Sequence, residues 1–161
     1  MTDPGGLSDD ELVESWAAVA RGFQHTQNLL GLDVDAVLGL SPSWFEVLLR
    51  LLRAPEHRMP MNRIADDVTM TSGGFTKLAD RMVEAGLLRR TPSTNDRRVT
   101  YLELTEDGVR VAERAMAEHV SSLRARVLAA LSEEGIVSLA KTMRELRNAN
   151  SAYHQRLADK Q

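Results

Sequence analysis

The sequence predicts a mainly α-helical protein with one small β-hairpin. Three observations lead there. Apolar residues recur at three- and four-residue intervals over most of the chain, capping signals separate those stretches, and only residues 87–104 change to the two-residue period of strands. With 161 residues the chain has the size of one ordinary domain. Its 43% hydrophobic and 27% charged residues are the composition of a globular protein, not a disordered one.

Ser8-Asp9-Asp10-Glu11 has the Ser-x-x-Glu form of a capping box, so the first helix starts at Ser8. Leu12, Trp16, Val19, Ala20, Phe23 and Leu30 lay one apolar stripe along it, which predicts a core-facing side that includes Trp16. Gly31-Leu32-Asp33 loosens the pattern and reads as a bend or a second short helix. Ser41 and Pro42 open the next helix as cap and first-turn proline. Phe45, Leu48, Leu49 and Leu52 form its buried face, and Pro55 ends it. Met59-Pro60-Met61 is too short, and too interrupted by proline, for more than an edge strand.

A short helix with Ile64, Ala65 and Val68 inward follows. Thr71 or Ser72 opens another, with Phe75, Leu78, Ala79, Met82 and Val83 toward the core, and Gly86 stops it as a left-handed residue. Residues 87–91 and 99–104 read as two strands around the polar turn of residues 92–98. Thr105-Glu106-Asp107 caps a long helix that carries Val109, Ala112, Met116, Val120, Leu123, Val127 and Leu131. Ser132-Glu133-Glu134 caps the last one, where Ile136, Leu139, Met143, Leu146, Tyr153 and Leu157 follow a heptad-like spacing.

Net charge is −3, yet residues 77–98 carry six basic residues against three acidic ones. An acidic whole with a basic centre offers a localised phosphate-binding face. A solvated, salt-bridged surface is the alternative. The absence of cysteine excludes a disulfide scaffold, a thiolate zinc finger and a catalytic or redox-sensing thiol. No run approaches the roughly 20 apolar residues of a spanning helix. The N-terminus is acidic and glycine-bearing, unlike the basic-then-apolar form of a secretory signal. A soluble, cytoplasmic protein without membrane contact is the expectation.

Two helices joined through Thr69 and Met70, followed by a hairpin with a basic tip, make a winged helix-turn-helix. The second helix carries Thr76, Lys77 and Arg81 on its outward face and Thr71 and Ser72 at its N-terminus. Small polar residues let the backbone approach a major groove, and the cations meet phosphates. Gly73-Gly74 costs a helix about 2 kcal/mol relative to alanine. Either a side chain there holds the helix off DNA, or the pair belongs to a loop. At the hairpin tip Asp96 and Arg98 share one face of an extended segment, so Asp96 braces the Arg98 guanidinium while Arg97 points away. A braced guanidinium suits a narrow minor groove or a phosphate. A plain surface ion pair, worth under roughly 1 kcal/mol, is the alternative.

In this order and spacing the residues resemble the MarR family of bacterial transcriptional regulators. The resemblance runs over residues 40–108. It rests on Leu40-Ser41-Pro42 with Phe45, Val47 and Leu48, on Ile64-Ala65, and on Thr71-Ser72-Gly73-Gly74-Phe75-Thr76-Lys77-Leu78-Ala79-Asp80-Arg81-Met82. Glu84-Ala85-Gly86-Leu87-Leu88-Arg89-Arg90, Asp96-Arg97-Arg98 and Leu102-Glu103-Leu104-Thr105-Glu106-Asp107-Gly108 complete it.

The resemblance implies a homodimer. Residues 1–40 and 105–161 then supply the dimerisation helices, and residues 41–104 the DNA-binding winged domain. Two recognition helices sit about one DNA turn, near 34 Å, apart on a pseudo-palindromic double-stranded operator. The residues expected at the major groove and its phosphates are Thr71, Ser72, Gly74, Thr76, Lys77 and Arg81. Arg97 and Arg98 serve the minor groove, with Asp96 as the brace.

A repressor released by a small anionic aromatic effector, bound between winged domain and dimer helices, is implied as well. In the urate- and phenol-responsive branch a first-helix tryptophan, a third-helix aspartate and an arginine near the wing hold the ligand. Trp16, Asp66 or Asp67, and Arg97 stand in those places. Arg53 replaces the histidine some members have, which counts against urate itself, and the lack of cysteine counts against the peroxide-sensing branch.

Two other classes compete. For an enzyme, Asp66 and Asp67 diverge by about 100° on a helix, and no phosphate loop, nucleophile elbow or metal motif accompanies them. His25 and His119 lie near apolar stripes as packed histidines, His57 lies in a loop, and none has metal-ligand spacing, so no metal or cofactor is expected. A helical module that binds only protein leaves the basic hairpin without a purpose.

Overall fold

Helix α1 (Asp9–Leu38) opens at the predicted capping box, where the Ser8 hydroxyl accepts the Glu11 amide and the Glu11 carboxylate accepts the Ser8 amide at 2.9 Å. This computed structural model describes residues 6–158 except Thr69, Thr94, Asn95 and Arg97, with the backbone alone for Ser72 and residues 152–158. The expected bend at Gly31-Leu32-Asp33 is absent. The helix runs through it to Gly39, whose φ of 62° closes it. Gly31 instead serves a close approach, since a Cβ there would stand 3.3 Å from Pro42.

The apolar stripe of α1 also departs from expectation. Only Leu30 and Val34 are buried, while Leu12, Val19 and Phe23 are exposed and Trp16 keeps 56% of its surface. Trp16, more than half exposed, is not core among the described residues.

Helix α2 (Pro42–Arg53) begins with Ser41 accepting the Trp44 amide. It buries Phe45, Val47, Leu48 and Leu51, and only half-buries Leu49 and Leu52. The buried face is therefore turned toward Val47 and Leu51, which contact the sheet-side core. A 3-10 turn (Pro55–His57) follows, with Glu56 and His57 both at positive φ. Strand β1 (Arg58–Pro60), helix α3 (Met61–Asp67), helix α4 (Ser72–Glu84), and strands β2 (Leu88–Pro92) and β3 (Thr100–Leu104) complete the winged segment.

The strands form one antiparallel sheet in the order β1-β3-β2. Pro60 sits on an edge strand, one of the few places a sheet tolerates proline. Across β2 and β3, Arg89 faces Glu103 in register and pairs with it. Leu48, Leu51, Ile64, Phe75, Met82, Leu88 and Leu102 are all but fully buried in one cluster. Each contributes roughly 1.5–3 kcal/mol of burial.

Gly86, at φ 75°, ends α4 as predicted. Thr105 then starts α5 (Glu106–Leu123). Its hydroxyl donates to the Gly86 carbonyl at 2.6 Å and accepts the Gly108 amide at 2.9 Å. Buried Gly108 lies against the Leu87 carbonyl so closely that a Cβ would overlap that oxygen.

The chain divides into two compact units between Ser121 and Ser122. In the second, a π-helical stretch (Arg124–Leu128) precedes α6 (Ala129–Ala158). Ser132 breaks α6 with φ 63° and ψ 173°, and its hydroxyl accepts the Gly135 amide, so a new helical run starts at the predicted capping serine. The π-helical stretch had no signature in the apolar pattern. Leu131, Val137, Leu139, Met143 and Leu146 are exposed along this unit; the side chains of Tyr153 and Leu157 lie outside the described residues. Among the described residues no helix is long and apolar enough to cross a membrane.

Candidate nucleic-acid interface

Helix α4 begins where Thr71 leaves the helical region, at φ −63° and ψ 147°, and its hydroxyl accepts the Gly74 amide at 3.3 Å. Gly73 and Gly74 therefore belong to the first helical turn, not to a loop. A Cβ at Gly74 would stand 3.1 Å from the capping hydroxyl. At Gly73 it would meet nothing within 4 Å, which leaves a bare surface at the helix start.

The rest of α4 is two-sided. Phe75, Leu78, Ala79 and Met82 are buried, while Thr76, Lys77 and Arg81 are exposed. The Arg81 guanidinium lies 5.9 Å over the Trp44 ring, a cation–π contact that steadies it against α2. Sequence reasoning missed Trp44, because nothing local marks a partner so distant in the chain. Of Ser72 only the backbone is described.

Asp80 binds Arg90 of β2 at 2.5 Å and so ties α4 to the root of the hairpin. Asp80 lies one turn beyond Thr76 and Lys77, on the same helix face. Arg89 is engaged by Glu103, whose carboxyl the Arg89 hydrogen bond holds below its ordinary range. Two of the six central cations are thus spent inside the protein. Lys77, Arg81 and Arg98 remain exposed, and Arg97 lies outside the described residues.

At the tip, Asp96 accepts the backbone amide of Arg98 at 2.9 Å, and its own amide donates to Ser93. No ion pair joins Asp96 to the Arg98 guanidinium among the described residues. The expected brace assumed an extended segment. The segment turns instead, as the Val99 amide bonded to the Asp96 carbonyl shows, and the carboxylate supports the loop backbone. Asp96 and Arg98 are both exposed.

The residues expected at an effector are dispersed. Trp16 is exposed on α1, Asp66 is exposed on α3, and Asp67 pairs with Arg50 at 3.6 Å. None of the three lines the small cavity of about 140 Å³ among α1, α2 and α5. That cavity is walled by Leu30, Val34, Phe45 and Leu49, with Gln27, Glu46 and His119 as polar groups. The His119 ring is 4.8 Å from that of Phe45, and its buried Nδ1 has no partner among the described residues. Burial first, then the charge of Arg53, push its pKa below the ordinary 6.5. Three separate helices build this cavity, so no local motif announces it. Among the described residues no group of three metal-ligating side chains converges.

Residues 38–99 match the sequence profile of the MarR family. The transcriptional repressor MdtR of Bacillus subtilis is 31% identical over 111 residues, 69% of this chain and 70% of that protein. The chain belongs to the MarR family. The regulator MhqR of Bacillus subtilis is similar too, 27% identical over 73% of this chain and 79% of its own length. Among solved structures, the repressor CouR bound to a 23-mer DNA duplex shares 26% identity and a TM-score of 0.74, over 89% of this chain and 99% of that one. This MarR-family chain is accordingly a DNA-binding transcriptional regulator of the winged helix-turn-helix kind, and not an enzyme.

Proposed function

We propose that this chain is a cytoplasmic, homodimeric repressor that reads a pseudo-palindromic operator and leaves it when a small aromatic, anionic effector binds. The observation that carries the DNA reading is the exposed Thr76–Lys77 face of α4, tied through Asp80 and Arg90 to the wing. Thr71, Ser72, Gly74 and Thr76 bring the helix N-terminus to the major groove, and Lys77 and Arg81 meet its phosphates. Arg97 and Arg98 serve the minor groove, with Asp96 holding the loop that carries them.

An electrophoretic titration at several salt concentrations tests this reading, on a duplex selected from a random pool. Arg98→Ala is expected to weaken binding and to flatten the salt dependence by about one phosphate-equivalent. Unchanged affinity and slope would remove the wing from the interface.

The dimer reading rests on exposed apolar side chains. Leu12, Trp16, Val19 and Phe23 on α1, and Leu139, Met143 and Leu146 on α6, are more than a lone chain leaves in water without purpose. The effector reading rests on the cavity beside His119. About 140 Å³ is the scale of a cavity that takes up one benzene-sized ring. Trp16, Asp66, Asp67 and Arg97 then act from a second copy or from the rim.

A further inference from the structure

The winged segment carries its positive charge almost entirely as arginine. Of 20 Lys and Arg side chains in the chain only three are lysines, Lys77, Lys141 and Lys160. A guanidinium stays protonated at physiological pH, whereas a lysine ammonium can give up a proton and become a nucleophilic amine. Lys77 is therefore the one Lys or Arg of residues 41–104 whose charge an acyl donor can remove.

Its surroundings set it apart from Lys141. Lys77 is exposed in the second turn of α4 and meets no carboxylate among the described residues. Asp80, three residues further along that face, is taken by Arg90 at 2.5 Å. Lys141 instead has Glu145 at 3.9 Å, one turn along α6, and Lys160 lies outside the described residues. Arg81 stands one turn beyond Lys77 on the same face, with about 5–6 Å between such Cβ atoms. Its guanidinium is steadied 5.9 Å over the Trp44 ring and has no carboxylate partner among the described residues. A held, planar cation beside an amine suits an acyl phosphate. The guanidinium takes the phosphoryl oxygens, and the carbonyl carbon then falls next to the amine.

We propose that Lys77 is an acylation site, taking the acyl group of a small acyl phosphate that Arg81 positions. The Lys77 Nζ, having lost one proton to water, attacks the carbonyl carbon. A C–N bond forms and the C–O bond to the phosphoryl group breaks. Inorganic phosphate leaves with that electron pair and takes one further proton from the nitrogen. The product is a neutral amide, so the face that α4 offers DNA loses one positive charge on each chain. This loss matters only under the DNA-binding reading; the acylation itself does not rest on it.

Treatment of the full chain with millimolar acetyl phosphate, followed by peptide mass spectrometry, tests the site. Lys77 is expected to be acetylated about fivefold or more faster than Lys141, and Arg81→Gln to bring the two rates together. A simple acetyl thioester, which carries no phosphoryl group, is expected to show no such preference. Equal rates at Lys77 and Lys141 in the parent overturn the proposal. A preference that survives Arg81→Gln, or that the thioester reproduces, overturns the part given to Arg81. In duplex anisotropy, full acetylation of the parent at Lys77 is expected to weaken binding about fivefold or more. It is also expected to flatten the salt dependence by about one phosphate-equivalent per chain. Lys77→Arg keeps a cation that cannot be acylated, so its affinity, whatever the starting value, is expected to stay put under the same treatment. A parent whose affinity survives acetylation, or a Lys77→Arg variant that loses as much as the parent, overturns the effect on DNA. A parent with no duplex affinity before treatment overturns the DNA-binding reading instead, and the two acetylation rates still decide the site.

Discussion

Gly108 shows how much one missing side chain can decide. The first turn of α5 crosses the end of β2's approach so tightly that the Leu87 carbonyl occupies the place of a Cβ. That same carbonyl accepts the Thr105 amide at 3.0 Å, so it is not free to retreat. Gly108→Ala is expected to cost on the order of 3 kcal/mol, read by urea denaturation. A cost below about 0.5 kcal/mol would mean the contact is loose.

His119 carries a pH dependence with a definite sign. Burial and Arg53 favour its neutral form in the folded chain, against the weaker opposing pull of Glu46. The folded pKa therefore lies below the unfolded one, and the unfolded chain binds the proton first as pH falls. Stability is full above about 6.5, the unfolded value, and is lost as pH drops through the folded one. Denaturation midpoints taken from pH 7.5 down to 5 are expected to fall more for the parent than for His119→Gln. Parallel curves would show that this imidazole is solvated.

At the scale of elements, the capping signals were readable because they are local. Ser8 with Glu11, Ser41 with Pro42, Thr71, and Gly86 each satisfy or release a backbone group within four residues, and each acts where the sequence places it. The wing tip was misread in its detail, because alternation of side chains holds in a strand and not in the turn that Asp96 stabilises. This makes Asp96→Ala informative. It removes the acceptor of the Arg98 amide, so duplex affinity is expected to fall about three- to tenfold while the melting temperature changes by only a degree or two. Equal losses in both would make Asp96 a fold residue and not a wing residue.

For the whole molecule, the exposed half of α1 sets the expectation. Trp16 and Phe23 stand 56% and 66% exposed on a helix that buries only Leu30 and Val34. In the proposed dimer, glutamates at both positions, Trp16→Glu with Phe23→Glu, are expected to shift sedimentation from dimer to monomer and to abolish duplex binding with it. A double variant that stays dimeric would place the dimer contact elsewhere.

Order and starts of the helices, the hairpin and the polar face of α4 could be read from the chain because each depends on neighbours within one or two turns, whereas the unbroken run of α1 through Gly31 and the π-helical stretch after Leu123 could not. The family was legible for the same reason, since its motifs are short and closely spaced. Which cations are left to meet DNA was not. Asp80 and Glu103 claim Arg90 and Arg89 across 10 and 14 residues of chain, and those pairings exist only once helix and sheet are packed. The cavity beside His119 likewise arises between elements far apart in the chain, where no spacing rule reaches.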